Sequence, residues 1–231
     1  GLGKTLQVIA LIWQAHREEE TGRPLSLVVC PASLICNWIH EFERFAPALP
    51  VTAVTGTASE RSAILARRES GVLVTSYDLL RRDLAAYRDR EFRFAILDEA
   101  QAIKNAATQT ARAAKAIRAR SRLALTGTPV ENRLGELWSL FDYLMPGFLG
   151  TYRKFRERWE LPAARGDREA GDGLRRLVPP LLLRRMKRDV MRELPEKIEQ
   201  IVYSAPEGRQ RAVYQAEALK LKRKLEGLDD A

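Results

Sequence analysis

Phe94-Ala95-Ile96-Leu97-Asp98-Glu99-Ala100-Gln101 reads as a buried strand that ends abruptly in two adjacent acids, with Ala102-Ile103-Lys104-Asn105 following at once. A continuous apolar run is the mark of a parallel strand covered on both faces, and open α/β sheets take their ligands at the strands' carboxyl ends. Paired carboxylates at such an end suit nucleoside triphosphate hydrolysis. One acid holds Mg²⁺, usually through water, and its neighbour orients or deprotonates the attacking water. Such a pair requires a phosphate-binding loop. Gly1-Leu2-Gly3-Lys4-Thr5, opening directly into Leu6, Val8, Ile9, Leu11 and Ile12, is the second half of one. Glycines let backbone amides approach phosphate, Lys4 reaches the β/γ oxygens, Thr5 ligates Mg²⁺, and the helix N-terminus favours the anion. The first half of that loop and its strand are not in the sequence, so the expectation is a piece of a longer protein.

Between these two motifs strands alternate with helices. Leu25–Cys30 is a buried strand halted by Pro31, and Ser33 is placed to cap a helix carrying Leu34, Ile35, Trp38, Ile39, Phe42 and Phe45 at helical spacing. Val51–Val54 is a short strand, residues 59–70 an Arg-rich helix, and Gly71–Tyr77 a strand. Residues 78–90 read as one amphipathic helix, 108–120 as another, and 122–126 as the last strand before Gly127-Thr128-Pro129. Five alternations predict an α/β fold, a parallel sheet flanked by helices. Every polar cluster falls at a strand's carboxyl end: residues 31–33, 75–77, 98–101 and 126–129. That coincidence predicts one active face.

Beyond Asn132 the pattern turns helical. Leu134 to Leu144 forms a helix closed by Pro146-Gly147, and Tyr152, Phe155 and Trp159 suggest another. Residues 163–173 read as a polar loop, 198–203 as a weak strand, and 206–225 as a final helix. The expected divisions are a lobe at 1–133, a helical insert with a basic block at 134–190, and a linker at 191–231 that begins a second lobe.

Of 231 residues, 45% are hydrophobic and 30% charged, which suits a globular chain and excludes disorder. Net charge is +9, consistent with a polyanionic partner or with an Arg-preferring, bacterial-leaning composition. One island, Arg175 to Arg188, holds six basic residues and no acid. Cys30 and Cys36 without clustered histidines make neither a zinc site nor a disulfide framework, and read as reduced packing residues of a cytoplasmic protein. His16 and His40 sit in helical patterns with a packing or solvent role. Trp38, Trp138 and Trp159 read as core rather than as base-stacking platforms. No apolar run is long enough to span a bilayer.

Taken together the strings GLGKT, LVVCPASLICNW, VTSYDLL, LDEAQAIKN, LTGTPVENRLGELWSLFDYLMPGFLG and LLLRRMKRDVMRELPEK resemble the Swi/Snf-like ATPases. These are helicase-related DNA translocases of superfamily two, and the likeness is to their first RecA-like lobe, nearly throughout the chain. The resemblance implies ATP and Mg²⁺ as cofactors, with Gly1, Gly3, Lys4 and Thr5 on the phosphates and metal, Asp98 on Mg²⁺, Glu99 activating water and Gln101 sensing the nucleotide. It implies that Thr126, Gly127 and Thr128 couple the nucleotide to a nucleic-acid groove. It places Pro31, Ser33, Asn37, Thr75, Ser76, Tyr77, Lys104, Asn105 and Asn132 along double-stranded DNA, with Arg184, Arg185 and Lys187 on phosphate or on the second lobe. Implied partners are duplex DNA, a second RecA-like lobe of the same chain and a protein–DNA cargo, with a nucleoid association if bacterial. The second lobe, which carries the arginine finger, is not in the sequence. Such fingers are worth about 10³–10⁵ in rate, so residues 1–231 alone are expected to turn over ATP poorly.

The first functional reading is a motor that moves along duplex DNA without separating strands, favoured by the helical insert. A strand-separating helicase, a small P-loop kinase and a nucleotide- or DNA-binding fragment without turnover are the alternatives. The pairing of DEAQ with LTGTP speaks against the kinase.

Overall fold

The computed structural model describes residues 3–18, 24–127, 134–183 and 207–229, with 168–172 and 223–229 as backbone only. The chain divides into two compact units, Gly1–Met186 and Lys187–Ala231. In the first, β1 (Leu25–Cys30), β2 (Val51–Ala53), β3 (Gly71–Ser76), β4 (Glu91–Leu97) and β5 (Arg118–Ala124) make one sheet in the order β2-β3-β1-β4-β5. All four pairings are parallel, as the alternating pattern predicts. The register sets Cys30 beside Ser76, Val29 beside Leu97, and Leu97 beside Ala124. Four strands therefore end level, and their continuations leave along one rim.

Side chains along a strand alternate between faces, so a doubly covered strand needs apolar residues on both parities. β1 does this with Leu25, Leu27 and Val29 on one face and Val28 and Cys30 on the other. Helices α1 (Lys4–Glu18) and α2 (Ile35–Phe45) cover the second face with Val8, Ile9, Ile12, Ile35, Trp38 and Phe42. The first face is covered by α3 (Ala58–Arg67), α4 (Tyr77–Arg82), α5 (Leu84–Arg88), α6 (Gln109–Lys115) and α7 (Leu134–Leu144). These bring in Leu65, Tyr77, Leu80, Tyr87, Ala111, Ala114, Leu140 and Tyr143. Several of these helices are far too short to persist alone. Burial, worth about 1.5–3 kcal/mol for each large apolar side chain, holds them.

Four sequence readings change. The helix expected over 78–90 is broken at Asp83. The Asp83 carboxylate instead accepts from both Nε and Nη2 of buried Arg61 (2.5 and 2.9 Å), while Arg61 Nη1 donates to the carbonyl of Gly56. α6 stops at Lys115 and β5 begins at Arg118, four residues earlier than the apolar run suggests. Alternate arginines hold this strand: Arg120 pairs with Glu91 of β4, and Arg122 donates to the carbonyls of Tyr143 and Ile117. Ser33 lies within a single 3₁₀ turn (Ala32–Leu34), and α2 starts without a side-chain cap. The supposed loop at 163–173 contains the end of α9 (Leu161–Ala164) and most of α10 (Arg168–Leu177).

α7 works on two sides. Leu140 and Tyr143 enter the core under the sheet, where the Tyr143 hydroxyl donates to the carbonyl of Ala95 at 2.8 Å. Its other face, Leu137, Trp138 and Phe141, builds a third core with Phe155, Trp159 and Leu174. Phe155 closes α8 (Tyr152–Phe155), and Trp159 sits in the adjoining π-helical turn Arg156–Glu160. In the second unit the described residues form one helix, α11 (Gly208–Asp229), close to the range read from sequence. The strand expected at 198–203 lies outside the described residues. No described helix is long and apolar enough to cross a membrane.

Candidate nucleotide and nucleic-acid site

The segments leaving β1, β3, β4 and β5 gather at this rim. Asp98 extends β4 by one ladder bond, its N–H donating to the carbonyl of Val29 at 2.8 Å. The chain then bends sharply. Glu99 has φ 48° and ψ 53°, and is the single non-glycine residue with positive φ among the described residues. A left-handed glutamate costs about 1–3 kcal/mol and persists where the surroundings over-determine it. Two bonds do so here. Ala100 N–H donates to the carbonyl of Leu125, and Leu125 N–H donates to that of Leu97. The bend turns Glu99 away from the strand and opens the 3₁₀ turn Ala100–Ile103.

Three side chains are then joined in series. Gln101 Nε2 donates to Glu99 Oε2 at 2.7 Å, and Thr126 Oγ1 donates to Gln101 Oε1 at 3.0 Å. The second acid after β4 is thus connected through one amide to the segment after β5. Asp98 is held from three directions. Its Oδ1 accepts from Glu99 N–H at 3.0 Å, its Oδ2 from Trp38 Nε1 at 2.9 Å, and its carbonyl from the Tyr77 hydroxyl at 2.7 Å. Burial, with the charge of Asp98 adding to it, pushes the Cys30 thiol up to about 12. Burial likewise raises the Tyr77 hydroxyl far above its ordinary value, so it remains a donor at any physiological pH. Both cysteines are free; Cys30 is buried, whereas Cys36, read from sequence as a packing residue, is exposed.

Lys4 and Thr5 form the first turn of α1, Lys4 exposed and Thr5 half-buried. Gly3 adopts φ +79°, a conformation that glycine takes without strain, and an added Cβ would meet nothing within 4 Å. Gly127 is exposed and Thr126 half-buried. The remaining rim residues divide into two groups. Pro31, Ser33, Asn37, Lys104 and Asn105 reach solvent, whereas Thr75, Ser76 and Tyr77 are buried. Thr75 Oγ1 donates to the carbonyl of Val54, Ser76 Oγ caps α4 by accepting from Leu79 N–H, and Tyr77 serves Asp98. Asn105 Oδ1 accepts from Ala107 N–H, which fixes the turn before α6. Gly1, Thr128, Asn132, Arg184, Arg185 and Lys187 lie outside the described residues.

The Trp38 bond to Asp98 is what sequence reading missed. Trp38 is read correctly as core, being 1% exposed, but its polar edge gives no signal in a helical pattern. Its partner lies 60 positions away.

A level-ended parallel sheet between two helical layers, with a Gly-Lys-Thr sequence opening one helix and paired acids after a strand, defines a nucleotide-binding RecA-like lobe. The chain belongs to the SNF2-related domain family, which matches residues 1–229. It is 41% identical over 226 residues to the TATA-binding protein-associated factor MOT1 of Saccharomyces cerevisiae, covering 88% of this chain and 12% of that protein. An uncharacterised ATP-dependent helicase of Mycoplasma genitalium is 39% identical over 203 residues, covering 88% of this chain and 19% of the other. Among solved structures, the Sulfolobus solfataricus SWI2/SNF2 ATPase core in complex with dsDNA matches with a TM-score of 0.76 and 38% identity. That match covers 98% of this chain and 47% of the solved one. The chain therefore spans less than half of each of these relatives.

Proposed function

We propose that this chain is the first lobe of an ATP-driven motor that moves along double-stranded DNA. Binding falls to Gly3, Lys4 and Thr5, which present backbone amide, ammonium and hydroxyl groups to the phosphates. Glu99 is the base that orients and deprotonates the attacking water, and Gln101 holds it in place. Asp98 and Thr5 would hold Mg²⁺, and the ion when bound would supply positive charge to the phosphates. The donor chemistry fits that ion. Asp98 and Thr5 offer a carboxylate and a hydroxyl, the hard oxygen donors that Mg²⁺ takes beside phosphate and water. Ser33, Asn37, Lys104 and Asn105 offer short polar and cationic groups to phosphate, contacts that position a duplex without reading its sequence. A second lobe of the whole protein would close the nucleotide cleft and supply an arginine to the transition state.

The observation that carries this reading is the bonded series Glu99–Gln101–Thr126. It links the acid read as the base to the segment after the next strand, a connection that supports a motor over a passive binder. The test is the ATPase rate of the full-length protein without nucleic acid, with single-stranded DNA and with duplex DNA, beside Glu99→Gln. Duplex stimulation that Glu99→Gln abolishes is the expected result. Equal rates under all three conditions would sink the motor.

A further inference from the structure

We infer that Trp38 is a positioning residue for the metal–nucleotide site, acting through the carboxylate of Asp98. The inference rests on the reading of Asp98 as the metal-holding acid. An aspartate after a strand has two free side-chain torsions, and a metal-bound water must find its oxygens in one orientation. Here both oxygens already accept a hydrogen bond: Oδ1 from Glu99 N–H at 3.0 Å and Oδ2 from Trp38 Nε1 at 2.9 Å. Each oxygen keeps a second lone pair for the solvent side.

The donor is itself buried and packed. Trp38 is 1% exposed and packs on Phe42 with ring centroids 5.9 Å apart, inside the core that α2 shares with β1, β3 and β4. Asp98 is only half-buried. A buried indole thus reaches the edge of the core and donates to a half-exposed acid. Groups that orient a metal-holding side chain in this way set the affinity for the metal without touching it.

The experiment compares wild type with Trp38→Phe in the full-length protein, titrating ADP calorimetrically with and without Mg²⁺. Trp38→Phe keeps an aromatic ring on Phe42 and removes the N–H. The expected result is an affinity for Mg–ADP weakened by about tenfold, the lower end for loss of such an orienting partner, with metal-free ADP binding unchanged. Phe42→Leu disturbs the same packing without touching the acid, and is expected to leave the Mg²⁺ dependence intact. Equal loss of both affinities in Trp38→Phe, or loss of Mg²⁺ dependence in Phe42→Leu, would reduce Trp38 to packing. A second measurement reads the wild-type indole directly, its resonance assigned by its loss in Trp38→Phe. In wild-type protein carrying 5-fluorotryptophan, the Trp38 fluorine resonance should shift when Mg²⁺ is added to the ADP-bound state, and a resonance that stays put overturns the proposal. Asp98→Ala separates the two levels. If it abolishes the Mg²⁺ dependence while Trp38→Phe retains it, the Trp38 role alone fails; if it too retains it, the assignment of Asp98 fails first.

Discussion

At the residue scale the site is built around a conformation that its own sequence disfavours. Glu99 sits at φ 48°, where a Cβ crowds the following carbonyl. The acids could be read from their place after an apolar run. The left-handed turn could not, because glutamate carries no local preference for it. What supports it is tertiary: the bond from Ala100 N–H to the Leu125 carbonyl fixes the chain's course just past Glu99. This has a measurable consequence. Glu99→Gly and Glu99→Ala both lose the Gln101 contact, so that loss cancels between them. The glycine variant is then expected to be the more stable by about 1 kcal/mol, reversing the usual advantage of alanine over glycine. Denaturant midpoints at equal slope read the difference, and if Glu99 is the base, both substitutions abolish turnover in the full-length protein. An alanine variant as stable as the glycine one would show that the turn relaxes once the glutamate is gone.

At the element scale, legibility depends on where the deciding contacts lie. β1, β3 and the apolar part of β4 were legible because strands buried on both faces carry their signal in composition alone. The start of β5 was not, since Arg118 and Arg120 look like helix-face residues until Glu91 supplies a partner across the ladder. The break between α4 and α5 was hidden for the same reason, Asp83 being drawn to Arg61, 22 positions away. α10 shows the effect most sharply. Its sequence, with Gly171 and Gly173 among charges, reads as a loop, yet Leu174 is buried in the third core. Gly173 is there because the helix must approach a tryptophan: an added Cβ would lie 2.6 Å from the Trp159 ring. Gly173→Ala should therefore destabilise this helical layer by about 1–3 kcal/mol, the usual cost of overpacking, although alanine is the better helix former. Thermal unfolding checks it, and the double variant Gly173→Ala, Trp159→Phe should recover part of the loss. A stabilised single variant would mean that α10 does not pack on Trp159.

At the scale of the whole molecule the net charge of +9 is spread over the chain, so charge alone does not say which surface faces a polyanion. Topology does. Four strand ends lie level, and the exposed residues there, Ser33, Asn37, Lys104 and Asn105, are small, polar or cationic. If that rim takes the duplex, Lys104 neutralises a phosphate and releases a counterion when DNA binds. Lys104→Ala in the full-length protein should then weaken binding about equally for unrelated duplex sequences. It should also make the slope of log affinity against log salt shallower by about one unit. Lys115 is the internal comparison. Its ammonium lies 2.7 Å from Asp142 and 4.9 Å from the Trp138 ring centroid, so Lys115→Ala should leave the salt slope where it is, whatever it does to stability. Fluorescence anisotropy of a labelled duplex across a series of KCl concentrations reads both. Equal slopes for wild type and Lys104→Ala would move the nucleic-acid surface off this part of the rim, because a cation that touches phosphate cannot be removed without changing the number of ions released.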